Sequence, residues 1–173
     1  MPTNLENEST QEKFVITRTF AISIAAMFDM WTDPDHFSQW LPPQGFSMQF
    51  MRLDVKTGGS CFYAMTGNGG MKMYGRVNYL KIQKPDRVIY TQQFCDENEK
   101  VTRHPMSPTW PETMLTTVTF TEETSDRTKV TLTWEPYGDV TPEEMDTFIK
   151  AKGGMTQGWT GSFDKLDNYI QSQ

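Results

Sequence analysis

The C-terminal stretch "GGMTQGWTGSFDKLDNYIQ", residues 153–171, decides the fold. Its large apolar residues recur every three or four positions, which predicts a helix that lays one face on a sheet. These residues are Met155, Trp159, Phe163, Leu166 and Ile170. A neighbouring flank has no side chains, because Gly154, Gly158 and Gly161 fall along it. Each glycine inside a helix costs roughly 1 kcal/mol relative to alanine, so this flank needs a physical reason.

Two explanations fit the glycines. They allow a kink and a close approach of the first helices of the chain, or they leave room for a ligand beneath a helix that covers a cavity. The first explanation is favoured for Gly153 and Gly154. The two explanations stand equal for Gly158 and Gly161.

A separate helix is predicted just before this stretch, beginning in "TPEEM", residues 141–145. Thr141 and Glu144 have the spacing of a capping box, and Pro142 suits the first helical position. Phe148 and Ile149 supply the apolar face. The pair Gly153-Gly154 is the predicted kink between the two helical segments.

The N-terminal part predicts one strand and two short helices. "KFVITRTFAI", residues 13–22, is rich in β-branched and aromatic residues and reads as a strand. Ser23 is the predicted N-cap of a helix whose apolar stripe contains Ile24, Met27, Phe28 and Trp31. Asp33 caps a second helix that starts at Pro34 and buries Phe37 and Trp40. Residues 1–13 are polar and are predicted to be a mobile tail, with one domain over residues 14–173.

Six strands are predicted after these helices, near residues 46–55, 59–66, 72–82, 86–95, 114–123 and 128–136. Glycine- and proline-containing turn signals separate most of them, which indicates an antiparallel meander. The alternation is cleanest in "KVTLTWE", where Val130, Leu132 and Trp134 share one face. The long connection 96–113 carries three prolines, His104 and Trp110. Such a loop is either a functional lid that docks onto something, or it is held to the rim of the sheet by Trp110.

Composition narrows the function. The chain has 173 residues and a net charge of −6, and it lacks the clustered Lys and Arg that nucleic acids require, so we expect no nucleic-acid partner. Residues 1–13 contain no apolar h-region and the chain has no apolar run of ~18 residues, so we expect no signal peptide, no membrane span and a cytoplasmic location. Two cysteines and two histidines match no zinc pattern, so we expect no metal and no cofactor. The 11 Phe, 5 Trp and 12 Met residues form either an ordinary core or a core that is partly a ligand cavity.

Residues 14–170 resemble the START-like (SRPBCC) superfamily. They are most similar to the single-domain bacterial branch named after the activator of the heat-shock protein 90 ATPase. The resemblance rests on the order and spacing of "RTFAISIAAMFDMWTDPDHFSQWLPP", "LDVKTGGSCFYAM", "YGRVNYLKIQKPDRVIY", "RHPMSPTWP" and "GWTGSFDKLDNYI". It implies an α+β helix-grip fold, in which a curved antiparallel sheet of about seven strands wraps around a long C-terminal helix. It also implies a cavity between them, in which members typically bind an apolar small molecule and a minority catalyse reactions.

Three functions therefore remain open. The first is a carrier, sensor or stress-related protein that binds an apolar or aromatic small molecule. The second is a cyclase or dehydratase that uses His, Tyr or Arg of the cavity, and a buried charged pair there would favour it. The third is a chaperone partner, which we consider less favoured because the eukaryotic activators carry a separate N-terminal domain before this one. We expect no stimulation of the heat-shock protein 90 ATPase, and the sequence leaves the oligomeric state open.

No residues form a recognisable catalytic set, so no catalytic residue is predicted. His36 reads as a surface helix residue beside Asp33 and Asp35, and His104 is either an exposed loop residue or one that reaches the mouth of the cavity. A mostly apolar pocket with a few polar groups is the usual ligand site. The predicted ligand-binding residues are Trp40, Phe46, Met48, Phe62, Met73, Arg76, Tyr90, Gln92, His104, Trp110, Trp134, Phe148, Met155, Gly158, Trp159 and Phe163. For Arg76, an ion pair on the solvated face of the sheet is the alternative.

Overall fold

The computed structural model describes residues 13–173, so residues 1–12 of the predicted tail lie outside the described residues. Seven strands form one antiparallel sheet in the order β1-β7-β6-β5-β4-β3-β2. The strands are β1 Phe14–Phe20, β2 Ser47–Arg52, β3 Ser60–Thr66, β4 Lys72–Gln83, β5 Arg87–Cys95, β6 Thr113–Thr124 and β7 Arg127–Pro136. Every strand that the sequence predicts is present, with its ends displaced by a few residues at most.

Within residues 13–173, four α-helices accompany the sheet. They are α1 Ile24–Thr32, α2 Pro34–Trp40, α3 Pro142–Lys150 and α4 Lys152–Gln171. The predicted caps are confirmed. Ser23 accepts the Ala26 N–H at 3.2 Å, Asp33 accepts the Asp35 N–H at 3.0 Å, and Thr141 and Glu144 form a complete capping box. Because short polar side chains satisfy the free N–H groups of a first turn, they fix where each helix begins.

The predicted kink at Gly153-Gly154 is wrong. The helical path breaks at Ala151, between Lys150 and Lys152, and both glycines lie inside the first turn of α4. Ala151 is the C-cap of α3, and its N–H donates to the Thr147 and Phe148 carbonyls at 3.1 Å. The break therefore comes from the closing turn of one helix and not from glycine.

The sheet curves around α4 and buries its inner face against it. Register shifts interrupt the pairing of β2 with β3, of β4 with β5 and of β6 with β7, and such bulges bend and twist a strand. The alternation predicted for β7 is present, because Val130 and Leu132 are fully buried while Thr131 and Thr133 are partly exposed. Phe163 of α4 meets Phe20 of β1 edge to face, with ring centroids 5.6 Å apart. This arrangement is the helix-grip fold.

Candidate functional site

A cavity of about 650 Å³ lies between the sheet and α4. This volume falls within the ~300–1,000 Å³ of typical small-molecule sites. The inner faces of β3 to β7 form its floor, α4 covers it, and α2 and the loop 96–112 close its sides. The side chains that line it are mostly apolar or aromatic.

The glycine flank of α4 faces this cavity over part of its length. Gly154 and Gly158 line the wall, and Met155 and Trp159 lie beside them. A Cβ atom added at Gly153, Gly154, Gly158 or Gly161 would meet no atom within 4 Å, apart from neighbouring and same-helix backbone atoms. The explanation by close packing against the first helices is therefore wrong, and the glycines border open space.

Three tryptophans join the cover of the cavity to its floor. Trp159 on α4 meets Trp134 on β7 edge to face, with ring centroids 6.1 Å apart. Trp134 in turn meets Trp110 of the long loop at 5.7 Å. Aromatic pairs in such geometry contribute ~0.5–1.5 kcal/mol beyond the area they bury. The tryptophans thus serve both the packing of the fold and the wall of the cavity.

The loop 96–112 is docked on the body of the protein by polar contacts. Arg103 forms an ion pair with Glu144 of α3, and the Thr109 and Thr147 hydroxyls lie 2.8 Å apart. Nearer β5, Glu99 forms ion pairs with Arg52 and Arg76 on strands β2 and β4. Trp110 both lines the cavity and packs on Phe148, with ring centroids 6.1 Å apart. The loop is thus anchored to the body of the protein and supplies residues to the cavity wall, while its action as a functional lid stays a prediction.

Two carboxylates in these loop contacts, Glu99 and Glu144, have pKa values below the usual range of a glutamate. Hydrogen bonds from Arg52 are the main cause of a lowered pKa for Glu99, and Arg76 adds to it. The pKa of Glu144 is lowered first by the Thr141 backbone N–H and then by Arg103. Since hydrogen bonds to the ionised form favour it, both carboxylates stay charged at neutral pH.

The most prominent polar contact inside the cavity joins Tyr63 and Gln92. Gln92 Nε2 donates to the Tyr63 hydroxyl oxygen at 2.6 Å, and both side chains line the cavity. Burial raises the pKa of Tyr63 to about 12, so the phenol keeps its proton at physiological pH. Gly75 on β4 faces the Tyr63 ring, and a Cβ atom there would overlap the Tyr63 Cζ and hydroxyl atoms. The ring is therefore seated on a strand position that has no side chain.

His104 presents a neutral imidazole at the loop side of the cavity. Its Nδ1 accepts the Met106 backbone N–H at 3.0 Å, so Nε2 carries the proton. Burial lowers the pKa of His104, and its ring lies 4.8 Å from that of Phe94. His36, by contrast, lies outside this cavity, where its Nδ1 is 2.7 Å from the Tyr169 hydroxyl.

Nine of the predicted ligand-binding residues line the cavity. They are Met73, Tyr90, Gln92, His104, Trp110, Trp134, Met155, Gly158 and Trp159. Their contact with a ligand stays a prediction, and the structure brings them together from β4, β5, β7, α4 and the long loop.

The other seven predicted residues do not line it. Trp40, Phe148 and Phe163 are fully buried in the packed core, where the Trp40 indole donates to the Met30 carbonyl at 3.0 Å. Phe46 packs on Gly67, and Met48 lies half-buried on the edge strand β2.

Phe62 and Arg76 lie on the opposite face of the sheet from the cavity. Phe62 stacks on Tyr74 at 5.9 Å, and Arg76 Nε donates to Glu99 Oε2 at 2.8 Å. The ion pair that was the alternative for Arg76 is therefore the one observed.

Sequence reasoning missed several wall residues, above all Tyr63, Phe94 and Met114. For Tyr63 a signal existed, since a glycine inside a strand often marks close approach of another group, and Gly75 pairs with Tyr63.

Among residues 13–173, no group of three or more His, Cys, Asp or Glu side chains could hold a metal ion. No helix among those residues is long and apolar enough to cross a membrane.

The chain resembles known proteins at two levels. A family model described as "Activator of Hsp90 ATPase homolog 1-like protein" matches residues 21–171. No curated protein matches the chain significantly.

Several solved structures share its fold. A protein from Arthrobacter aurescens is 22% identical with a TM-score of 0.79, over 95% of this chain and 89% of that chain. A protein from Staphylococcus epidermidis is 26% identical with a TM-score of 0.72, over 93% and 90%. A protein from Mycobacterium smegmatis is 20% identical with a TM-score of 0.74, over 94% and 92%. With the family model covering most of its length, the chain belongs to the family of Activator of Hsp90 ATPase homolog 1-like proteins.

Proposed function

We propose that the protein binds an apolar or aromatic small molecule in the cavity beneath α4, as a carrier, sensor or stress-related protein. The observation that supports this proposal is a cavity of about 650 Å³ whose walls are mostly apolar and aromatic. Trp110, Trp134 and Trp159 offer flat apolar surfaces, which suit aromatic rings. Burying a ligand there removes apolar surface from water, which lowers the free energy of the complex by roughly 25 cal/mol for each Å² buried.

An enzyme of the cyclase or dehydratase kind is the second candidate, because Tyr63, Gln92 and His104 line the same space. A buried charged pair in the cavity would favour such an enzyme. Among the residues that line the cavity, Glu112 is the one that carries a formal charge, and it is exposed. This distribution favours the carrier. A chaperone partner stays the third candidate, on the family name alone.

A cytoplasmic location belongs to the same proposal. It rests on Cys61 and Cys95, which are both buried and free, as a reducing compartment favours.

Titration of a neutral fluorescent probe, N-phenyl-1-naphthylamine, tests the proposal. We expect saturable binding to the parent protein. The variant Gly158→Leu should weaken it at least tenfold, because Gly158 lines the cavity and the larger side chain adds volume at its wall. Gly153→Leu is the matched control. It makes the same change in the same helix, at an exposed position outside the cavity wall, so it should bind like the parent.

Thermal melts of both variants show whether they fold. Equal loss of probe affinity in the two variants, or no saturable binding to the parent, would contradict the proposal. Native mass spectra of freshly purified protein are an independent check, since a carrier should retain a bound small molecule.

A further inference from the structure

We infer that the ligand is a neutral molecule with an aromatic body and a hydroxyl group, and that the Tyr63–Gln92 pair recognises that hydroxyl. This inference rests on the proposed function and narrows it to one chemical class. Three observations support it. The pair has unused hydrogen-bonding capacity, several neighbouring polar groups are hydrogen-bonded within the protein, and no Lys or Arg lines the cavity wall.

The Tyr63–Gln92 pair has capacity left for a ligand. With Gln92 Nε2 donating to the Tyr63 oxygen at 2.6 Å, the Tyr63 hydroxyl hydrogen and the Gln92 Oε1 atom have no other partner among residues 13–173. If the amide is turned over, the Gln92 N–H groups are free to donate and the Tyr63 oxygen is free to accept. In both orientations the pair offers one donor and one acceptor. A hydroxyl group, which donates and accepts at one atom, complements this offer.

Several other polar side chains along the wall are bonded within the protein. Ser162 Oγ donates to the Leu41 carbonyl at 3.1 Å, and Thr147 Oγ1 donates to the Glu143 carbonyl at 3.0 Å. His104 uses Nδ1 for the Met106 N–H. The buried Trp134 Nε1–H has no partner among residues 13–173, but an indole N–H can only donate. The Tyr63–Gln92 pair presents an unused donor and an unused acceptor at one place.

The pair is also held in position. The Tyr63 ring lies over Gly75 and meets Phe50 edge to face at 6.2 Å, and its side chain is 6% exposed. A group fixed in this way loses little conformational freedom when it binds a partner.

The charge of the wall excludes anions. No Lys or Arg lines the cavity, His104 is neutral, and Glu112 carries the one formal charge. A carboxylate buried without a cation or several donors is strongly disfavoured, so fatty and aromatic acids are poor ligands. A neutral phenol or alcohol avoids this desolvation cost.

Isothermal titration with naphthalene, 2-naphthol and 2-naphthoate at pH 7 tests the inference. The ring system is the same in all three, so they differ only in the polar group. We expect 2-naphthol to bind about three- to tenfold more tightly than naphthalene, the effect of one net hydrogen bond. We expect 2-naphthoate to bind at least tenfold more weakly than 2-naphthol.

The double variant Tyr63→Phe/Gln92→Met keeps the bulk of both side chains and should abolish the preference for 2-naphthol. Tyr79→Phe is the matched control. It removes a buried hydroxyl on the same face of the sheet, outside the cavity wall, and should keep the preference.

The outcomes separate the two proposals. If naphthalene binds but 2-naphthol gains nothing, or if 2-naphthoate binds as tightly as 2-naphthol, the inference is wrong and the proposed function stands. If neither neutral compound binds to the parent protein, both are wrong.

Discussion

Gly75 matters because the Tyr63 ring occupies the space where its side chain would be. We predict that Gly75→Ala destabilises the protein by about 1–3 kcal/mol, the usual cost of overpacking a core. The ring cannot keep its place, so the hydrogen bond with Gln92 should be lost as well. Urea unfolding measures the first effect, and titration of 2-naphthol measures the second.

Gly161→Ala is the control for this change. It makes the same substitution where a Cβ atom meets open space, so it should not destabilise the protein. A Gly75→Ala variant as stable as the parent would show that the Tyr63 ring moves freely, which contradicts the seat described for it.

At this scale the sequence predicted the cavity wall only in part. In β3 the residues Cys61, Phe62, Tyr63 and Ala64 are all buried, so the strand lacks the alternation that tells its two faces apart. The sequence of such a strand does not show that Tyr63, and not the predicted Phe62, lines the cavity. Strands with one exposed face posed no such difficulty, as Trp134 on β7 shows.

Among the elements, α4 is less stable than it could be, because glycines lie along one side of the helix. We predict that Gly158→Ala and Gly161→Ala each stabilise the protein by about 0.5–1 kcal/mol, since alanine is the better helix former and both sites have room. Gly158 lines the cavity and Gly161 does not. Only Gly158→Ala should therefore weaken binding of N-phenyl-1-naphthylamine, as fluorescence titration would show. Lower stability in both variants would contradict this account of the glycines.

The loop 96–112 should become less firmly docked in acid. Glu144 has a folded-state pKa below its ordinary value, so its contribution to stability is complete above the unfolded pKa of ~4.3 and is lost as pH falls through the folded pKa. We predict that Glu144→Gln lowers the melting temperature relative to the parent at pH 7. The difference should shrink steadily below about pH 4.5 as the parent carboxylate becomes protonated.

Glu143→Gln is the matched control for that experiment. Glu143 is the neighbouring residue in the same helical turn, but it is exposed and Arg103 pairs with Glu144 instead. Its melting temperature should stay close to that of the parent at every pH. A Glu144→Gln difference that persists unchanged at pH 3 would rule out the carboxylate as its cause.

Helix starts were predictable because single polar side chains determine them. Ser23, Asp33 and Thr141 each accept an N–H of the first turn, a local contact that the sequence specifies. The predicted break between α3 and α4 at Gly153-Gly154 lies two residues beyond the observed break at Ala151, because glycine is not its cause. The end of α3 is determined by backbone hydrogen bonds from the Ala151 N–H, and no particular residue type at this position predicts them.

For the whole molecule, Trp159 is the residue that ties the layers together. Its ring meets Trp31 of α1 at 6.4 Å, Trp134 of β7 at 6.1 Å and Phe163 of its own helix at 5.9 Å. We predict that Trp159→Ala costs about 3 kcal/mol, near the lower end for a large aromatic residue, because one side of the ring borders the cavity. Thermal melts measure this loss.

Trp159→Phe should retain part of the stability, since it keeps an aromatic ring in the cluster. If Trp159→Ala melts like the parent protein, the contact between helix and sheet is carried elsewhere, and the assignment of Trp159 to it is wrong.

The order of elements along the chain predicted the architecture well, because caps, turns and alternation are local. The cavity was harder to predict, since its wall combines residues of five strands, three helices and two loops. Trp40, Phe148 and Phe163 have the size and polarity of wall residues, yet they are fully buried in packed regions. Which large residue borders a cavity and which fills a core depends on long-range geometry that a single sequence does not encode locally.

The strand order has a consequence for the making of the protein. Within residues 13–173, β1 lies at an edge of the sheet and has β7, which begins at Arg127, as its one neighbouring strand. A ribosome adds ~5–20 residues per second, so β1 waits several seconds or more for β7 to be synthesised. Its backbone N–H and C=O groups are meanwhile open to other chains. In stalled nascent chains, Phe14–Phe20 should become protected from protease only after β7 has left the ribosome. β1 and β7 therefore reach their folded state at the same stage of synthesis.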